Sequence, residues 1–228
     1  MTDDRHEFDT VDSRLKYQGA ILALRLDTVR MPGGREAERE VVEHYGAVAV
    51  VAIDSEQRIV LIEQYRHPLG RRLLELPAGL LDEAGEDYVA AAQRELGEEA
   101  GLQADSWSLL VDVAASPGFT DETVRLFLAE GLTEIDRPDP VDEEADIEIV
   151  RLELSEAVAR VFSGEIVNAS AVAGILALAA VRSSGEVSLR PASAPWQDVP
   201  TAFERRKSGS GCGQAGGRSV SGQGSSGG

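Results

Sequence analysis

The stretch from Leu73 to Leu102, LLELPAGLLDEAGEDYVAAAQRELGEEAGL, constrains the fold more than any other part of the chain. A short apolar strand runs into Pro77 and Gly79, the residue types that make a tight strand-to-loop connection. A helical pattern then runs from about Asp87 to Ala100, and Gly101 stands where a left-handed C-terminal stop is needed. Strand-patterned segments flank this unit: ILALRLDTVRM, REVVEHYGAVAVVAID and RIVLIEQYR before it, WSLLVDVAA, TVRLFLAE and IEIVRLE after it. A polar turn at Asp54 to Gln57 separates the second and third, and two helical segments, SEAVARVF and ASAVAGILALAAV, come last. Strands on both sides of one central helix, with further helices late, predict an α/β domain whose mixed sheet is covered on its faces by helices.

The central helix is locally unfavourable. Glu95, Glu98 and Glu99 crowd toward one side of it, and like charges at three- and four-residue spacing cost about 0.2–0.5 kcal/mol per pair. Gly97 in the interior costs roughly 1 kcal/mol more. A solvated acidic face would leave that cost without a return. Carboxylates unmatched by lysine suit a hard divalent cation such as Mg²⁺, which sits between carboxylates and substrate phosphates, and Arg94 offers a cation able to hold one of them in place.

Composition narrows the function. With 22 basic against 40 acidic residues, a formal charge of -18 and lysine only at positions 16 and 207, the chain lacks the clustered positive charge that nucleic-acid binding requires. An acidic protein that handles a phosphorylated ligand needs local arginines or bound cations. The single Cys212 excludes an internal disulfide, no G-x-x-x-x-G-K-[ST] phosphate loop occurs, and AVAGILALAAV is too short to span a bilayer. MTDDRHEFDT lacks the blocks of a secretory signal, so a cytoplasmic protein without membrane attachment is expected. From Ser208 the chain is almost all Gly, Ser and Gln, which predicts a flexible tail over 208–228. Its match to G-x-G-x-x-G lacks a preceding strand and a following helix, so low complexity explains it better. Asn168, within a sequon, reads as a helix cap.

Residues Gly79 to Leu102 resemble the Nudix box, G-x5-E-x7-R-E-U-x-E-E-x-G-U with U a bulky apolar residue. Every fixed position from Glu86 onward is met; six residues rather than five separate Gly79 from Glu86, which lengthens the loop. VVEHYGAVAVVAID, QYRH, GRRLLELPAGLLD, SPGFTDE (with Pro117) and EEAD are similar to the ADP-ribose pyrophosphatase branch, so the likeness covers about Gly19 to Arg182. The resemblance implies a Nudix α/β/α sandwich with added N-terminal strands, in a domain over 16–207 after an N-terminal segment 1–15. It implies Mg²⁺-dependent hydrolysis of ADP-ribose to AMP and ribose 5-phosphate, with Mn²⁺ a possible substitute. Glu95 and Glu99 would bind metal with the backbone carbonyl of Ala78, Glu98 would assist as a ligand or through water, and Glu86 and Arg94 would hold loop and helix together.

The acidic loop DPVDEEADIE, read alone, is a solvated loop; the resemblance implies that one of its glutamates, Glu144 or alternatively Glu143, acts as the base. Arg66, at a strand end, would bind phosphate, and Arg39 and Glu40 would contact the adenine side across a homodimer interface built from the N-terminal strands. His44 and His67 read as packing or solvent residues. Another nucleoside diphosphate derivative such as a sugar or NADH is the alternative substrate, and a non-catalytic ADP-ribose sensor is the alternative from another class.

Overall fold

The computed structural model describes residues 6–137, 146–185 and 187–209. Three antiparallel strands, β1 (Thr10–Gln18), β2 (Leu22–Arg30) and β3 (Glu36–His44), form a separate sheet in that order. The main sheet contains β4 (Ala47–Ile53), β5 (Arg58–Arg66), β6 (Arg71–Glu75), β7 (Ala78–Leu80), β8 (Leu102–Ala114), β9 (Thr123–Glu134), β10 (Glu148–Glu153) and β11 (Arg190–Pro191). The helices are α1 (Tyr88–Ala100), α2 (Leu154–Ser163), α3 (Ala169–Ser184) and the short α4 (Ala202–Lys207).

The main sheet runs β10-β5-β4-β9-β8-β11, with β6 on β5 and β7 on β4; β4 and β9 are parallel and their neighbours antiparallel, so it is the mixed sheet expected. Strand β4 shows how the layers form. Its seven residues are all buried, and they alternate: Ala47, Ala49, Val51 and Ile53 face the core under α2 and α3, whereas Val48, Val50 and Ala52 face the core under α1. Helices on both faces of a mixed sheet make the α/β/α sandwich.

The sheet splays beside β4. Strand β5 pairs with its far end at Ala52 and Ile53, while β7 pairs with its near end at Ala47 to Ala49 and Val50 N donates to Pro77 O at 2.8 Å. That opening lies where the loop after Pro77 leaves for α1.

Two differences from the sequence reading stand out. REVVEHYGAVAVVAID is two strands in two sheets, because the chain changes sheet at Tyr45–Gly46, where Gly46 O accepts from Leu81 N at 2.9 Å. The chain also does not close after α3: residues 190–207 return across the body as β11 and α4. Strand β1 pairs with β2 from Thr10 onward, across the junction of residues 15 and 16. The Asp54 turn forms as expected, its Oδ1 accepting from the backbone of Glu56 and Arg58, and Asn168 Oδ1 caps α3 by accepting from Ala171 N at 2.9 Å.

Candidate active site

Helix α1 begins at Asp87, whose carboxylate accepts from Val89 N and Ala90 N, and ends at Gly101, which takes φ 64°. Residues four apart share a stripe on a helix, and two stripes of α1 face inward. Ala92, Leu96 and Ala100 form the apolar one, packed on the sheet; Ala91, Glu95 and Glu99 form the one beside it. Two carboxylates are thereby carried to the edge of a core: Glu95 is 8% exposed and Glu99 6%. Glu98, on the Arg94 stripe, is more open, so the three glutamates are not equivalent.

Each carboxylate has a partner. Glu99 Oε2 accepts from Ala78 N at 2.8 Å, which ties the helix to β7. Arg94 donates from Nη1 to Glu95 at 2.7 Å and to Glu98 at 2.9 Å, and from Nε and Nη2 to Glu86 at 3.2 and 3.1 Å. One guanidinium thus joins the loop before α1 to two acidic residues of the helix. The hydrogen bonds to Glu86, followed by the nearby Glu95 charge, raise the Arg94 pKa against its own burial. Burial pushes the Glu95 carboxyl upward, and Arg94 opposes that shift. Gly79 completes the contact: a Cβ there would fall 1.9 Å from Glu95 Oε1.

This donor set fits a hard divalent cation. Burial leaves Glu95 short of the solvation its charge needs, and all the donors are oxygens. The cage is not preformed: among the described residues, no group of three or more His, Cys, Asp or Glu side chains converges on one point. Arg94 and Ala78 N hold the carboxylates instead. Outside the clamp lies an open depression of ≈ 540 Å³, lined by Glu83, Gly85, Glu86, Arg94 and Glu98.

The remaining expected residues are dispersed. Arg66 closes a two-pronged ion pair on Glu75, Nε to Oε1 at 2.9 Å and Nη2 to Oε2 at 2.8 Å, although Glu75 is only 3% exposed. Arg39 and Glu40 are exposed on β3, where Arg39 donates to Glu38 O and approaches Met31 Sδ. His44 Nδ1 lies 3.0 Å from Tyr45 O, and the His67 ring is 6.4 Å from that of Tyr65. Glu143 and Glu144 lie outside the described residues, as do Cys212 and residues 210–228. Asp146, at the near end of that loop, binds Arg72 through its carboxylate and backbone carbonyl.

Sequence reasoning missed a buried cluster beside α1. Arg125 on β9 is 0% exposed; it grips Asp112 on β8 at 2.8 and 3.2 Å, and donates to Ala194 O at 2.6 Å and Pro195 O at 3.0 Å. A strand arginine amid TVRLFLAE was the one visible signal, since a charge on a fully buried strand must be paired.

Comparison with known proteins agrees with this geometry. Residues 43–168 match the NUDIX domain, and residues 8–42 match the nucleoside diphosphate sugar hydrolase N-terminal domain. The chain is 54% identical over 202 residues to an ADP-ribose pyrophosphatase of Mycobacterium tuberculosis (strain ATCC 25618 / H37Rv), covering 89% of this chain and 97% of the relative. It is 41% identical over 152 residues to a methanol dehydrogenase activator of Bacillus methanolicus (67% and 82% covered). With an ADP-ribose pyrophosphatase of Bacillus subtilis (strain 168) it shares 37% over 163 residues (72% and 88% covered). The crystal structure of an ADP compounds hydrolase superposes with a TM-score of 0.69 at 20% identity, covering 82% of this chain and 100% of that one, and so shares the fold. Fold, box and relatives together place the chain in the Nudix family of hydrolases.

Proposed function

We propose that this protein hydrolyses the pyrophosphate bond of ADP-ribose, releasing AMP and ribose 5-phosphate, with Mg²⁺ as the metal and Mn²⁺ able to replace it. The observation that carries this reading is the buried Glu95 and Glu99 pair at the edge of α1, against the Gly79 turn and beside an open depression. The relatives named ADP-ribose pyrophosphatase support the substrate.

In the reaction one P–O bond forms to a water oxygen, the bridging P–O bond breaks, and the departing phosphate oxygen is left with the negative charge. A divalent cation supplies Lewis acidity: it offsets charge on the phosphate oxygens and makes water a better nucleophile. Glu95 and Glu99, with the Ala78 carbonyl, would hold it, and Glu98 would assist. Arg94 keeps two of these carboxylates and Glu86 in register. Arg66, oriented by Glu75, would bind phosphate from a fixed pose. Glu144, or Glu143 in its place, would take the proton from water; Glu144→Gln should lower turnover with KM little changed, and an unchanged rate would move the base to Glu143.

The protein would act as a homodimer, with Arg39 and Glu40 reaching the adenine side of the partner's site. In support, β1 is exposed along its whole length at the edge of its sheet, and Leu15, Tyr17 and Ile21 are exposed apolar residues there. The match of residues 8–42 to a nucleoside diphosphate sugar hydrolase domain favours such a sugar as the second reading. Release of AMP from ADP-ribose with Mg²⁺ and with chelator, run beside ADP-glucose and NADH, separates them. Fast metal-dependent release from ADP-ribose alone supports the first reading; turnover of another compound alone would replace the substrate.

A further inference from the structure

Residues 190–207 lie beyond both regions matched to known domains, yet they are fastened to the body at every step. Strand β11 pairs with β8, and Arg190 reaches Asp112 at 3.1 Å. The carbonyls of Ala194 and Pro195 satisfy the buried Arg125. Trp196, itself buried, lies over that guanidinium at 4.7 Å and meets the Tyr88 ring edge-on at 5.1 Å. Asp198 O accepts from Thr123 Oγ1 at 2.9 Å, Phe203 packs edge-on against Tyr45 at 4.9 Å, and Arg206 clasps Glu43 through two bonds of 2.7 Å.

Tyr88 is the first residue of α1, and Glu86 lies two positions before it. Val199 to Thr201 line a cavity of ≈ 160 Å³ together with Gly85, Glu86 and Tyr88, so the segment faces the loop that carries Glu86 across it. Glu86 in turn holds Arg94, and Arg94 holds Glu95 and Glu98. A physical path therefore runs from Trp196 through Tyr88 and Glu86 to the acidic turn. Among the described residues Trp196 Nε1 has no hydrogen-bond partner, and the contacts of this indole with Arg125 and Tyr88 are made by its rings.

We propose that the segment Arg190–Lys207 is a strap that positions the acidic turn for its cation, with Trp196 as the positioning residue at its centre. This rests on the metal reading of Glu95 and Glu99 given above. Without the Trp196 ring, Tyr88 and the Glu86 loop lose their backing, and the carboxylates spend less time in the arrangement a cation needs.

The test is calorimetric titration of the full chain with Mn²⁺, for wild type, Trp196→Phe and Trp196→Ala, at a temperature where circular dichroism shows each folded. Trp196→Ala should bind Mn²⁺ about 10-fold or more weakly, and Trp196→Phe, which keeps the aromatic stack, within about 3-fold of wild type. A folded Trp196→Ala with wild-type affinity would overturn the strap's role and leave the proposed activity standing. Absence of Mn²⁺ binding by wild type would overturn the metal reading and the strap together, whereas Mn²⁺ binding without ADP-ribose turnover would remove only the substrate. If Trp196→Ala does not fold, Trp107→Phe leaves Trp196 as the single tryptophan of the two. Its emission should then shift to saturation on Mg²⁺ titration, and a flat titration would overturn the inference.

Discussion

The Glu95 carboxylate occupies the space that a side chain at Gly79 would need: a Cβ built on Gly79 falls 1.9 Å from Glu95 Oε1 and 2.0 Å from its Cδ. Helix α1 and the β7 turn can approach this closely only with glycine there. Gly79→Ala should therefore displace Glu95 from between the turn and Arg94, lowering turnover by about 10²-fold, the scale of a misplacement near 1 Å. The rate as a function of Mg²⁺ concentration checks this; a variant with the wild-type metal dependence would show that Glu95 does not need its observed position.

Arg94 is the shared counter-charge of Glu86, Glu95 and Glu98. Arg94→Gln should leave three carboxylates close together with no cation between them. The guanidinium is 30% exposed, so water moderates the cost, and a loss of about 1–3 kcal/mol in urea unfolding is expected. Added Mg²⁺ should recover part of it by taking over the neutralising role. Unchanged stability without metal would show that Arg94 is not holding the acidic turn together.

Glu43, on β3, joins the N-terminal sheet to the strap, accepting from Arg25 on β2 and Arg206 on α4. Its burial would raise the carboxyl, but the hydrogen bonds from Arg206 and Arg25 outweigh this and hold the pKa below the usual value. The folded state then binds this proton less readily than the unfolded chain, so stability rises with pH between the two values. The contribution is complete above the unfolded pKa, about 4.3, and is lost as pH falls through the depressed folded one. Glu43→Gln should cost about 1–3 kcal/mol at pH 7 and converge on wild type below that window, as read by urea unfolding against pH. Parallel curves for the two proteins would contradict it.

How much of this could be read from the sequence depends on the range of each interaction. Helix α1 was legible almost to the residue, because Asp87 and Gly101 terminate it through contacts within a turn of themselves. The crowding of Glu95, Glu98 and Glu99 toward one side of it was legible for the same reason, since helical spacing alone sets it. The division of labour was not: only packing against the sheet separates buried Glu95 and Glu99 from the more open Glu98. The Arg66 partner, Glu75, is set by the pairing of β5 with β6, and the strap by Arg125 reaching across 69 and 70 positions to Ala194 and Pro195. ASAPWQDVP carries no periodicity to signal such a docking, and its order comes from the surface that receives it.

The central claim is that Glu99, tied to Ala78 N and buried on the Glu95 stripe, holds the cation that drives hydrolysis. The most direct measurement is the initial rate of AMP release from ADP-ribose at saturating Mg²⁺, for wild type and Glu99→Gln at equal concentrations of folded protein. The amide keeps the shape and one acceptor but not the charge. A loss of about 10²-fold or more with the fold intact is the predicted result, since a metal's stabilisation of transition-state charge is worth several kcal/mol and each 1.36 kcal/mol is tenfold in rate. Wild-type turnover by folded Glu99→Gln would contradict the account.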